Sequence, residues 1–176
     1  MNYRPDIDGL RAVAVLAVLA FHFQVPGLGG GFVGVDVFFV ISGYLIGRLL
    51  LDELARDGRV SLTRFYMRRF RRIAPAWMVL CAAVMVAGYL LLLPHDLREL
   101  GKTVVATTLF AANIQFYRSA GYFDGAAEEK PLLHMWSLAV EEQFYLVLPL
   151  LLVLLWRWRK VGPGLMLVSA ASLVAC

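Results

Sequence analysis

Ten consecutive uncharged residues, Ala12 to Phe21, lie between Arg11 and His22. An unbroken run of alanine, valine, leucine and phenylalanine predicts a helix in lipid, where every backbone polar group must be satisfied internally. Counted from Ile7 to Val25, the segment is long enough to cross a hydrocarbon core about 30 Å thick. Eleven helical steps come to about three turns, so Arg11 and His22 share a face, roughly 16 Å apart along the axis. Ionisable residues inside a span usually face protein or a water-filled cavity. The plainer alternative is that Arg11 extends to the headgroups and His22 caps the helix at the far interface.

The rest of the chain repeats this pattern. Its 176 residues are 60% hydrophobic and only 17% charged, with a mean hydropathy of +0.70, which predicts an all-α integral membrane protein rather than a soluble domain. The first apolar segment is no cleaved secretory signal, because further spans follow and no small-residue cleavage site does. The net charge of +4 does not imply nucleic acid, since the arginines cluster between apolar spans, as orientation by the positive-inside rule requires. Cys81 and Cys176 form neither a disulfide framework nor a metal-ligand spacing, so no metal is expected.

Asp8, in competition with Asp6, is the expected N-cap of the first helix. An uncharged loop, Gln24 to Gly31, leads to a second span from Phe32 to about Leu51. So short a connection makes the two helices antiparallel neighbours and brings Asp36 to the side of His22. A carboxylate in reach of an imidazole would fix its tautomer and raise its basicity; otherwise Asp36 caps its own helix. Gly43 and Gly47 form a small-xxx-small pair, expected to be a packing seam, with Ser42 beside it.

Between Arg48 and Arg72 stand eight arginines against Asp52, Glu53 and Asp57. The basic segment 52–73 is therefore expected in the cytoplasm, as is the N-terminus. Ser61 is expected to cap a short helix carrying Arg64, Arg68 and Arg72 on one face, with Leu62, Phe65, Tyr66 and Ile73 supplying apolar contact on others. Such a helix could rest on anionic headgroups, or its guanidinium groups could bind phosphates. Arg69 and Arg71 read as surface charge. A third span follows from Ile73 to Leu93, with Pro75 in its first turn.

The stretch 100–117 is only weakly apolar. If it crosses the membrane, the loop from Arg118 to Lys130 is cytoplasmic and Arg157 to Lys160 falls outside; if it dips in and returns, Arg157 to Lys160 falls on the cytoplasmic side, as the charge rule prefers. A fifth span, about Leu132 to Trp158, holds Glu141, Glu142 and Gln143, and at least one of these carboxylates should face protein. Gly162-Pro163-Gly164 opens a sixth apolar segment running to Cys176.

Four stretches together carry a resemblance. They are the opening Tyr3-Arg4-Pro5-Asp6-Ile7-Asp8-Gly9-Leu10-Arg11 with His22, GGFVGVDVFFVISGYL from Gly30 to Leu45, FYMRRFRRIAP from Phe65 to Pro75, and HMWSLAVEEQFY from His134 to Tyr145. In this order they resemble membrane-bound acyltransferase family 3, the O-antigen and exopolysaccharide O-acetyltransferase type, over residues up to about Pro149. The resemblance implies transfer of an acyl group, often acetyl from acetyl-CoA, to a hydroxyl of a cell-surface glycan or lipid-linked saccharide at the bacterial inner membrane. It implies that Arg68 and Arg72 are the family's R-x-x-x-R pair and that Glu141, Glu142 and Tyr145 line the site, with His134 at its mouth.

With Arg11, the Arg68–Arg72 pair would form a cationic inner mouth for CoA phosphates, and His22 with Asp36 an outer site. His22 would act as general base, or as a nucleophile through an acyl-histidine. Family members have roughly ten spans, so residues 1–176 are expected to be the N-terminal part of such a domain. The competing expectations are an inactive fragment, and a transporter or lipid-flipping protein that uses the same intramembrane charges. The internal symmetry many transporters show is not visible here.

Overall fold

The computed structural model describes residues 4–118, 130–158 and 161–175. It is all-helical among these residues: α1 (Pro5–His22), a 3₁₀ turn (Gly31–Val33), α2 (Gly34–Asp57), α3 (Leu62–Leu91), α4 (Pro94–Thr108), α5 (Ala112–Arg118), α6 (Met135–Arg157) and α7 (Val161–Ala175). Three helical stretches, Gly31–Asp57, Leu62–Leu91 and Met135–Arg157, are long and apolar enough to cross a membrane. The chain is a multi-pass membrane protein. It divides into two compact units, Met1–Val60 with Val147–Cys176, and Ser61–Leu146.

In the first unit α1 starts earlier than Asp8 would place it. Arg4 occupies the N-cap position, Pro5 opens the helix, and Asp6 and Asp8 both lie in the first turn. Proline is pre-set for that position and lacks only an N–H that would be unpaired there anyway, while the acids complement the helix dipole. Arg4 bonds Asp6 through Nε at 2.9 Å and Nη2 at 2.6 Å, which holds the Asp6 carboxyl down at about 2.

The seam between α1 and α2 lies at Gly31 and Gly34. A Cβ at Gly31 would overlap the carbonyl of Ala17, and one at Gly34 would overlap that of Ala14 and the side chain of Val18. An added Cβ at Gly47 meets nothing within 4 Å. Glycine is needed at the first two positions because the backbones themselves touch. Gly58, in the left-handed region at φ 67°, ends α2 by donating its N–H to Leu54 O, as a C-terminal glycine does.

In the second unit the basic segment and the third span are one helix, not two. α3 runs 30 residues, with Pro75 inside it. Proline removes one i to i−4 bond, which a long helix held elsewhere by packing absorbs. α4 returns antiparallel along the far half of α3, with Leu100 pressed on Gly88 and the Phe110 ring 6.1 Å from that of Trp77. α4 then breaks at an elbow. Phe110 adopts φ 50°, its N–H bonds Thr107 O at 3.1 Å and that of Ala111 bonds Ala106 O at 2.8 Å.

Beyond the elbow α5 packs against α4, and Arg118 lines one groove with Gly101 and Lys102. Residues 94–118 thus form a helical hairpin. Part of its polar set faces protein: Thr103 and Thr107 are buried, and Asn113 bonds Gln143, whereas Lys102 and Thr108 are exposed. A core of Leu100, Ala112, Leu132, Met135 and Ala139 ties the hairpin to the start of α6.

Candidate active-site residues

His22 closes α1 and is exposed. Its Nδ1 lies 2.8 Å from the carbonyl of Val18, one turn back. A carbonyl only accepts, so that contact puts the proton on Nδ1 and leaves the lone pair on Nε2. The Phe21 ring meets the imidazole edge-on at 5.8 Å. The tautomer is set by the helix's own backbone, not by Asp36.

The register explains why. Gly31 faces Ala17 and Phe21, and Gly34 faces Ala14 and Val18. Antiparallel packing therefore brings Asp36 level with residues near Ala14, about 12 Å along the axis from His22. Asp36 also lies about 200° round α2 from Gly34, so it points away from α1. It is exposed in the first turn of α2, where a carboxylate complements the helix dipole.

Arg11, half-buried, sits on the same flank of α1 as His22, beside the glycine seam. Ser42 is half-buried on α2.

The second unit gathers the polar residues of α6. Arg69 Nη2 donates to Glu142 Oε1 at 2.9 Å, and the two side chains are only 15% and 14% exposed. The guanidinium carbon lies 3.4 Å from the centre of the Tyr145 ring, a close cation–π contact. The Tyr145 hydroxyl donates to Glu141, and the Tyr66 hydroxyl donates to Leu146 O at 3.0 Å. Next along α6, Gln143 Nε2 donates to Phe110 O at 2.8 Å and to Asn113 Oδ1 at 3.0 Å, which fastens the hairpin elbow. Arg69 Nε is buried without an acceptor.

Glu141, Glu142 and Tyr145 thus lie in one cluster, with Arg69 at its centre rather than on the surface. The signal was present in the sequence. Arg69 continues the stripe Leu62, Phe65, Tyr66, Ile73 at helical spacing, so the face that packs on α6 has to include it. Arg68 and Arg72 are exposed on α3, as are Arg64 and Arg71. His134 is exposed just before α6, and its carbonyl accepts from Ser137 Oγ at 3.0 Å.

A family model described as an acyltransferase domain matches residues 4–176. The chain belongs to that acyltransferase family. It is 42% identical to the peptidoglycan O-acetyltransferase OatA of Listeria monocytogenes over 167 residues, 94% of this chain and 26% of the relative. It is 39% identical to the O-acetyltransferase OatA of Staphylococcus aureus over 176 residues, 98% of this chain and 29% of the relative. The chain therefore spans about a quarter of the length of these curated relatives. No solved structure matches it.

Proposed function

We propose that the chain carries catalytic residues of a membrane O-acyltransferase that moves an acetyl group from acyl-CoA to a hydroxyl of a cell-wall glycan. Among glycans we favour peptidoglycan over O-antigen or lipopolysaccharide, because the Listeria relative is named for it. The observation that carries the mechanism is the contact of His22 Nδ1 with Val18 O at 2.8 Å. An imidazole held in that tautomer offers Nε2 as a base without needing a carboxylate partner.

In the proposed step Nε2 takes the proton of the glycan hydroxyl, and the oxygen attacks the thioester carbonyl carbon. The carbon–sulfur bond breaks, and the imidazolium returns its proton to the departing thiolate. Arg68 and Arg72, both exposed on α3, would bind CoA phosphates as charge-assisted donors. Asp36 would not orient the imidazole in this scheme. The cluster of Arg69, Glu142, Tyr145 and Glu141 would hold α3 and α6 in the geometry the donor site requires.

The test is transfer of labelled acetyl from acetyl-CoA by membranes carrying the protein and its His22→Ala variant. Loss of at least about a hundredfold is expected, the usual contribution of a positioned base, with insertion unchanged. Undiminished transfer by His22→Ala would remove both the base and the acyl-histidine mechanisms.

A further inference from the structure

The helices α4 and α5 line an open groove of about 420 Å³, apart from the residues proposed for the transfer reaction. That volume falls within the range of small-ligand sites. Its walls are two helical stripes. Lys102, Val105 and Leu109 lie on α4 and at the elbow, and Ile114, Gln115 and Arg118 lie on α5. Each stripe carries one cation, and antiparallel folding brings both to the same end. The floor at the elbow lies about 10 Å from them.

Between those ends the walls are apolar and open, with Val105 61% and Leu109 71% exposed. Lys102 shares its charge with Glu99 at 2.7 Å, whereas Arg118 makes no ion pair among the described residues. Among the described residues, the lining of the groove thus carries one cation without an ion-pair partner.

A cationic mouth above an apolar trough matches an amphiphile with an anionic head, and the chain lives in a medium made of such molecules. We infer that the α4–α5 groove seats one anionic phospholipid, its phosphate between Lys102 and Arg118 and an acyl chain along Val105, Leu109 and Ile114. A soluble anion would have no use for the trough. A zwitterionic lipid would gain less from the two cations, each of which near a membrane surface favours an anionic lipid about fivefold. This site stands independently of the acyl-transfer reading.

Gly101 supplies a clean test. It lines the groove, and an added Cβ there meets nothing within 4 Å, so Gly101→Leu should fill the space without disturbing the helix. The protein, purified in neutral detergent with equal phosphatidylglycerol and phosphatidylcholine, is examined by native mass spectrometry. The expected result is one retained phosphatidylglycerol, lost in Gly101→Leu. The preference should fall about fivefold in Arg118→Gln and further in the double variant with Lys102→Gln. Helical circular dichroism should be unchanged in all three. Equal retention of both lipids, retention undiminished in Gly101→Leu, or displacement by inorganic phosphate would overturn the proposal. So would a lipid-free dimer, which would show a second copy covering the groove.

Discussion

Arg69 and Glu142 illustrate how a buried pair can be indispensable without being a large net source of stability. Removing two charges from water costs several kcal/mol per ion, and their attraction at 2.9 Å offsets much of that. Losing one partner strands the other. Arg69→Met or Glu142→Leu alone should therefore lower stability by about 3–5 kcal/mol, and the double variant should recover most of it. Thermal unfolding of the four proteins in detergent closes the cycle; purely additive losses would mean that the two side chains are not coupled. At this scale the sequence was readable in part. Two adjacent carboxylates in an apolar span announce that partners exist, and Glu141, Glu142 and Tyr145 do share a cluster. Which arginine answers them was hidden, because five arginines crowd positions 64–72 and only the packed stripe of α3 distinguishes Arg69. The His22 contact with Val18 was equally invisible, since an imidazole one turn from any carbonyl has that option and the rotamer decides it.

The helices themselves were the most legible level, and their joints the least. Runs of apolar residues located α2, α3 and α6, but nothing in the local pattern said that the basic segment and the third span are one continuous helix through Pro75. Motif spacing did not point to the α1–α2 seam. A small-xxx-small rule favours Gly43 and Gly47, whereas close approach occurs where the loop enters the helix, at Gly31 and Gly34. The consequence is testable. Gly34→Val should cost about 1–3 kcal/mol, the range for overpacking a filled contact, and Gly31→Val a similar amount. Gly47→Val should cost less than either, since an added Cβ meets no neighbour there. Comparing melting temperatures of the three variants decides it, and a Gly47 variant as damaged as the other two would return the seam to the middle of α2.

For the molecule as a whole, the hairpin decides which way everything after it faces. A helix that crossed at residues 100–117 would put Arg118 on the side opposite His95. A hairpin would put both on one side, and α6 would then end with Arg157 on the cytoplasmic side that the charge rule prefers. The second course is the one expected, because Arg118 and Lys102 line one groove between α4 and α5. Gln143, from within α6, holds the elbow through Phe110 O. It also agrees with the positive-inside rule at both ends of α6. In a background lacking Cys81 and Cys176, single cysteines at Ser61, His95 and Arg118 can be labelled with a membrane-impermeant maleimide on intact cells. His95→Cys and Arg118→Cys should both react from outside, and Ser61→Cys only after the membrane is permeabilised. If Arg118→Cys instead behaves like Ser61→Cys, residues 94–118 cross the membrane. The arginines after α6 then lie outside against the charge rule, and the lipid seat in the hairpin would open toward the cytoplasmic leaflet.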